Sequence, residues 1–244
     1  MRTYHGIVDF RQPVISAGAT YPTDGLIARY LFEDNFNDNY GSNNNWTPFH
    51  APSSWIYSTG KIGKAYDTNT TNYDDWSKPM QNNTDASINN LPGTNNFSVS
   101  AWCKITNTNQ ELCFYVGWYN EGNQRFYPIA FGGASDKPSG SSNGCFAINR
   151  GGGWLTNGYY NTDMRDNNWH HYAITYSSGA IKGYIDNILR VDSSYTLLSS
   201  SYALIGGIRA GSWCANGKID LLYYYGKTLS TDEISQLYNG GAGV

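Results

Sequence analysis

Short runs rich in β-branched and aromatic residues recur along the chain, and Gly, Asn or Ser bounds most of them. In residues 169–176, WHHYAITY, alternate side chains must point to opposite faces of an extended strand. Such runs between turn signals favour antiparallel strands over βαβ units. The predicted strands are GLIARYLFE, KIGKAYDT, NFSVSAWCKIT, ELCFYVGWY, RFYPIAFGG, GCFAINRG, WHHYAITYS, AIKGYIDNILRV, YALIGGI and GKIDLLYYYGKTL. We therefore expect an all-β, antiparallel two-sheet sandwich.

The C-terminal segment LSTDEISQLYNGG departs from this pattern. Ser230 and Glu233 have the spacing of a capping box, and Ile234, Leu237 and Tyr238 fall on one helical face. Two glycines follow and supply a stop. The segment predicts one short C-terminal helix.

A chain of 244 residues can bury one large core, so a single domain is expected over residues 25–244. Residues 1–24 contain Pro13, Gly18 and Pro22 between short apolar pieces and are interpreted as an N-terminal arm or linker. No apolar run has the length of a signal-peptide core or a membrane span. We expect no cleaved signal peptide and no membrane insertion.

The composition argues against nucleic acid as a partner, because the formal charge is −3 and the basic residues are scattered. Aromatic residues make up 16% of the chain and charged residues only 14%. Rigid aromatics among small polar residues are typical of extracellular β-proteins and binding surfaces. The same aromatic surface is compatible with a homo-oligomer.

The histidine and cysteine patterns do not favour a zinc site. His170 and His171 are adjacent in a predicted strand, so they point to opposite faces and cannot share a metal. We expect one of them packed and the other at the surface. Cys103 and Cys113 could face each other across a hairpin near Thr108, or remain free buried thiols.

The order of motifs resembles the laminin G-like, concanavalin A-like jelly-roll family, in its bacterial and phage branch related to pentraxins. The matching segments are GLIARYLFEDNFNDNYG, GKIGKAYD, LPGTNNFSVSAWCK, NNWHHYAITYSSGAIKGYIDNIL and GKIDLLYYYGKTLSTDEISQLYNGG. The resemblance implies a jelly-roll sandwich with structural roles for Trp102 and Trp169. It also implies a hairpin turn at Asp186 and Asn187, where the family usually has Gly at the second position.

A structural Ca²⁺ ion is the cofactor that the resemblance suggests. The segment EDNFNDNYG carries six Asp, Asn and Glu side chains, and such oxygen ligands suit Ca²⁺. Relatives hold the ion near the first and last strands, which nominates Asp34, Asp38 and Asp220. A solvated Asx-rich turn is the alternative.

Catalysis is not expected. Glycosidases of this fold carry paired acids as Glu-x-Asp-x-Glu on one strand, and the sequence has no such pattern. Binding of a glycan is the better hypothesis, because sugar faces stack on exposed aromatics while polar groups bond the hydroxyls. Ordinary packing is the alternative for each aromatic. The candidate ligand-binding residues are Trp118, Tyr119, Asn120, Arg150, Trp154, Asn157, Tyr159, Tyr160 and Trp213.

These observations predict a non-enzymatic, lectin-like adhesion module. We expect it on a bacteriophage virion or another extracellular surface, with residues 1–24 attached to capsid or tail proteins. The alternatives are a purely structural virion decoration protein and, less favoured, a glycoside hydrolase.

Overall fold

The computed structural model describes residues 20–40, 45–48, 57–68, 80–82, 86–106, 114–120, 125–131, 139–142, 145–149, 154–194, 202–206 and 216–244. The strands are β1 (Leu26–Tyr30), β2 (Thr47–Pro48), β3 (Tyr57–Thr59), β4 (Lys64–Asp67), β5 (Met80–Asn82), β6 (Asn96–Thr106), β7 (Phe114–Asn120), β8 (Arg125–Phe131), β9 (Cys145–Asn149), β10 (Trp154–Asp163), β11 (Asp166–Ser177), β12 (Ala180–Ile185), β13 (Ile188–Ser194), β14 (Tyr202–Ile205) and β15 (Gly217–Tyr225). The α-helices are α1 (Ala86–Asn89) and α2 (Thr231–Tyr238), and 3-10 turns lie at Leu91–Gly93 and Asn239–Gly241.

The strands form two antiparallel sheets, as the sequence predicts. The larger sheet has the order β13-β12-β11-β6-β15-β4-β3, and β1 pairs with β15 beside this path. The smaller sheet has the order β10-β9-β8-β7-β14-β5-β2. The prediction of an antiparallel sandwich with a short C-terminal helix is therefore confirmed.

Alternation along β6 and β11 builds the core between the sheets. On β6 the inward side chains include Phe97, Val99 and Ile105, and all are buried. Phe146 of the smaller sheet reaches across to Gly183, where an added Cβ would lie only 2.7 Å from its ring. Burying one such apolar side chain contributes about 1.5–3 kcal/mol, so this layer holds the two sheets together.

The outer face of the larger sheet is covered by α2 and the C-terminal residues. Trp102, Leu221 and Tyr223 pack there with Ile234 and Leu237 of the helix. The predicted capping box is present: the Ser230 hydroxyl accepts from the Glu233 N–H, and the Glu233 carboxylate accepts from the Ser230 N–H. The outer face is thus a second apolar layer held by the helix.

The hairpin predicted at Asp186 and Asn187 is also confirmed. Both residues have left-handed backbone angles, with φ of 49° and 65°, and they join β12 to β13. Left-handed angles at both central residues suit the right-handed twist of a two-residue hairpin, and Asn tolerates them. Asn187 therefore serves where the family usually has Gly.

Of the two alternatives for Cys103, the structure supports the free buried thiol. Cys103 lies on β6, whose neighbours are β11 and β15, and it pairs there with His170 and Ile219. Its thiol is free and buried, and Cys113 lies outside the described residues.

The contacts of the sandwich begin before Gly25. The Tyr21 ring packs 5.7 Å from that of Tyr223, and the Pro22 carbonyl accepts from the Tyr225 hydroxyl at 3.0 Å. The predicted arm stays a prediction for residues 1–19, which lie outside the described part. Among the described helices, none is long and apolar enough to cross a membrane.

Candidate functional site

Trp118 is a core residue and is not available to a ligand, which corrects the sequence prediction. Its indole has no exposed surface, and its N–H donates to the Ile88 carbonyl at 2.8 Å. Its ring packs edge-on against Phe97 and Tyr224 of the larger sheet. The signal that could have revealed this is the alternation of β7, which puts Trp118 on the same face as buried Val116.

Four other candidate residues lie on two strands of the smaller sheet. Tyr119 and Asn120 end β7, and Trp154 begins β10 at the same end of the sheet, with Asn157 three residues further along. Two strands separate β7 from β10, so the spacing is about 14 Å at about 4.8 Å per strand. The candidates Arg150 and Trp213 lie outside the described residues.

Tyr159 and Tyr160 are adjacent on β10 and therefore face opposite sides of the smaller sheet. Both are half-buried. Tyr160 lies opposite Phe146 and packs against the core between the sheets. The two tyrosines cannot contribute to one binding surface, and Tyr160 belongs to the side where the two sheets meet.

The edge strands β10 and β13 lie against each other at this side, which we call the β10–β13 seam. Arg190 of β13 places its guanidinium carbon 4.6 Å from the centre of the Tyr160 ring. Ile188 and Leu189 precede it and are 51% and 43% exposed, among the most exposed large apolar side chains of the described residues. The seam therefore presents a cation stacked on an aromatic ring, next to a strand segment in which Ile188 and Leu189 are exposed on opposite faces.

Arg190 was not among the binding residues predicted from the sequence, because its position depends on a β-bulge. On β13, Leu189 pairs with Tyr184 and Val191 pairs with Gly183, so Arg190 is an extra residue without a partner on β12. Nothing in the run NILRV marks the bulge.

The carboxylates nominated for calcium have other partners. Asp34 pairs with the Lys64 ammonium, and Asp38 accepts from the N–H groups of Arg29 and Tyr40 at 3.1 and 2.9 Å. In the part of the chain that the structure describes, no three His, Cys, Asp or Glu side chains are arranged to hold a metal ion. The structure thus does not bring Asp34, Asp38 and Asp220 together, and calcium stays a prediction.

Asp220 is buried beneath the turn between β3 and β4. One carboxylate oxygen accepts from the N–H groups of Lys61 and Ile62 at 2.8 and 3.0 Å, and the other accepts from the Leu221 N–H at 2.7 Å. Burial raises its pKa to about 7 even though these three donors favour the charged form. The role of Asp220 in the structure is to join the turn to the bulge at Leu221, where φ is 49°.

The two adjacent histidines have different environments, as predicted. His171 is buried, lies 2.7 Å from the Ser100 hydroxyl, and has a pKa lowered to about 3 by burial. His170 lies between Asp186 at 2.6 Å and Asp166 at 3.2 Å. The hydrogen bond to Asp186 raises the pKa of His170, against burial, and Asp166 adds to the effect. His170 thus connects the start of β11 to the β12–β13 turn.

Comparison with known families supplies the evolutionary context for this geometry. The family of the concanavalin A-like lectins and glucanases matches residues 80–235, which is more than half of the chain. The chain belongs to this superfamily. The comparison with curated proteins gave no match.

Solved structures of the same fold include carbohydrate-binding and toxin domains. Domain 4 of an extracellular arabinanase from Geobacillus stearothermophilus, in complex with arabinotriose, is similar with a TM-score of 0.62 and 18% identity, covering 90% of this chain and 98% of that one. The binding domain of botulinum neurotoxin serotype D gives 0.60 and 17%, covering 89% of this chain and 52% of that one. The ligand-binding domain of the same serotype in complex with N-acetylneuraminic acid gives 0.60 and 16%, covering 89% and 51%.

At these identities the structures show a shared fold. The chain spans about half the length of the neurotoxin domains. For a member of a superfamily of lectins and glucanases, the question is whether the site binds a glycan or also cleaves it. Cleavage requires two carboxyl groups about 5–10 Å apart across a bound sugar.

The buried carboxylates of the described residues already have structural partners. They are Asp220, described above, and Asp67. Asp67 accepts from the Ser58 hydroxyl at 2.6 Å and lies 3.5 Å from the Lys218 ammonium.

Proposed function

We propose that the chain is a non-enzymatic carbohydrate-binding module that mediates adhesion. The observation that carries the proposal is the β10–β13 seam, where the Arg190 guanidinium stacks on the Tyr160 ring and the exposed Ile188 and Leu189 lie next to it along β13 of a concanavalin A-like sandwich. Protein surfaces that bind sugars combine apolar area for the C–H faces with a few fixed polar groups for the hydroxyls. The seam has both.

The similar structures support this proposal at the level of the fold. One of them was solved with arabinotriose and another with N-acetylneuraminic acid. Both sugars are thus ligands of proteins that contain this fold and share less than a fifth of their residues with this chain, and the match covers about half of the second protein.

The proposed absence of catalysis is supported by the contacts of two described carboxylates, those of Asp220 and Asp163. Asp220 accepts three backbone N–H groups, and Asp163 is held by Arg165 through contacts of 2.9 and 2.8 Å. A carboxylate committed to such contacts is poorly placed to donate a proton to a glycosidic oxygen. We therefore assign binding, without turnover, to the module.

A glycan array with the purified full chain tests the proposal. We expect binding to at least one glycan class, together with no release of reducing sugar from the bound glycans. Trp154→Ala, at a ligand-binding candidate predicted from the sequence, is compared with Trp118→Phe, which changes the core only. Failure of the folded chain to bind any glycan would refute the proposal, and release of reducing sugar would replace it with a glycosidase.

We further propose that the module is displayed on a bacteriophage virion or another extracellular surface, with the residues before Tyr21 as the attachment segment. Because Tyr21 and Pro22 pack on the sandwich, the informative truncation removes residues 1–19 only. We expect the truncated chain to bind glycans and to lose attachment to particles. Attachment without glycan binding in either form would favour a purely structural decoration protein.

A further inference from the structure

Arg190 is an exposed cation whose position is fixed by its surroundings. The bulge on β13 leaves it without a partner on β12, and the Tyr160 ring of the other sheet lies beneath its guanidinium group at 4.6 Å. Stacking of a guanidinium on an aromatic face restrains the group, and its N–H donors lie in its own plane and remain accessible. The seam therefore presents a preorganised set of donors to solvent.

Four cations whose side chains the structure describes, Arg29, Lys61, Lys104 and Arg190, form no ion pair with a described carboxylate, and Arg190 is the exposed one among them. The cations with carboxylate partners pair as Lys64 with Asp34, Arg165 with Asp163, Lys182 with Asp192, Lys218 with Asp67, and Lys227 with Asp24 and Glu233. No carboxylate of the described residues pairs with Arg190. Its exposed positive charge is thus not neutralised by any carboxylate that the structure describes.

We propose that the β10–β13 seam binds an acidic sugar, with Arg190 holding the carboxylate of that sugar. The inference rests on the proposed carbohydrate-binding function and names its ligand class. A planar carboxylate matches the guanidinium fork and forms two parallel N–H···O bonds with it. Ile188 and Leu189 precede Arg190 on β13 and point to opposite faces of the strand, so one of these exposed side chains can offer apolar surface to the C–H face of the same sugar ring.

A neutral sugar gains much less from such a site. Hydroxyl groups accept single hydrogen bonds from a guanidinium, whereas a carboxylate accepts two charge-assisted ones in a fixed geometry. Lysine at the same position would keep the charge and lose the fork, because an ammonium is a point charge on a flexible stem. The chemistry therefore predicts a preference for carboxylated sugars that depends on the guanidinium itself.

The test uses matched probes with the full chain. The probes are 3′-sialyllactose against lactose, and a galacturonic acid trimer against a galactose trimer, measured by titration calorimetry at low and physiological salt. The variants are Arg190→Gln, Arg190→Lys and Tyr160→Phe, with Lys182→Gln as the control that removes one exposed positive charge from the adjacent strand. Arg190 and Lys182 both project from the surface, so these substitutions leave the core intact.

We expect at least tenfold tighter binding of one acidic probe than of its neutral partner, weakened by salt. Arg190→Gln should abolish this preference, Arg190→Lys should lose most of it, and Tyr160→Phe and Lys182→Gln should retain it. Equal affinity for acidic and neutral probes, an unchanged preference in Arg190→Gln, or binding of sulfated glycans only would overturn the inference while leaving carbohydrate binding intact. A chain that binds no glycan on the array would instead refute the proposed function itself.

Discussion

Asp220 offers the sharpest test of how the fold is held together. The substitution Asp220→Asn keeps the shape of a fully buried side chain and removes its charge. Both oxygens of a carboxyl group can accept even when it is protonated, whereas an amide has one acceptor oxygen, so the NH₂ group of Asn must face at least one of the three backbone N–H groups. An unsatisfied buried donor costs about 1–3 kcal/mol.

The pH dependence of this difference follows from the raised pKa. Burial moves the pKa of Asp220 from 3.8 to about 7, so between these values the folded chain holds a proton that the unfolded chain releases. The stabilising contribution is fully present below pH 3.8 and is lost as the pH rises through about 7. Since one pKa unit corresponds to about 1.4 kcal/mol, the wild type should lose about 2–3 kcal/mol relative to the Asn variant between pH 5 and pH 8.

Urea denaturation followed by tryptophan fluorescence at pH 5, 6, 7 and 8 measures both effects. At pH 5 we expect the Asn variant to be less stable by about 1–3 kcal/mol, which is a melting temperature lower by about 2–12 °C for a chain of this size. At pH 8 the deficit should vanish or reverse. The control is Asp232→Asn, which changes an exposed carboxylate. A deficit that stays constant, or that grows with pH, would show that Asp220 is ionised throughout and would refute the reasoning.

The remaining predictions concern the helix cap, the core, the histidine cluster and calcium. Ser230→Ala removes the capping hydroxyl and should cost about 1 kcal/mol, seen as a melting temperature lower by about 2–4 °C. Trp118→Phe loses the hydrogen bond to the Ile88 carbonyl and part of the ring, so stability should fall by about 1–3 kcal/mol while glycan affinity stays unchanged; a selective loss of affinity would contradict its core position. The pKa of His170 is raised above 6.5, so the advantage of the wild type over His170→Gln should be full below pH 6.5 and should decline as the pH rises through the higher folded value; equal curves from pH 6 to 9 would contradict this. If calcium binds as the sequence predicts, melting curves with calcium and with chelator will differ, and Asp38→Asn will remove the difference.

The fold was predictable wherever local chemistry and the two-residue period agree. β11 was foreseen because WHHYAITY alternates and a turn follows it, and α2 because its capping box lies before an apolar face. β10 was missed, because WLTNGYYNTD contains Asn, Thr and Gly and its pairing with β9 shifts register twice. β10 forms a strand because it pairs with β9, and no local sequence pattern indicates this pairing.

The candidate site was harder to predict, because several of its positions depend on contacts distant in sequence. Asp220 resembles a metal ligand in the sequence, yet the N–H groups that it accepts belong to residues 158 and 159 positions earlier. Trp118 was misassigned for a different reason. Its aromatic identity suggested a sugar platform, whereas its position in the alternation of β7 already pointed inward.

The positions of Asp220 and Arg190 share one cause, which is a β-bulge. An extra residue on β15 gives Leu221 a left-handed φ and leaves Asp220 beneath the β3–β4 turn, and an extra residue on β13 directs Arg190 toward Tyr160. A bulge shifts the alternation by one residue, so the pattern that predicts the sheets predicts the wrong face just beyond it. Residues beside a bulge are therefore where pattern and structure should disagree most, and bulges are over-represented at sheet edges and next to active sites. By this reasoning, substitutions at Arg190, the irregular position on β13, should change ligand choice without unfolding the sandwich. They should do so more than substitutions of the aromatic residues that are conspicuous in the sequence.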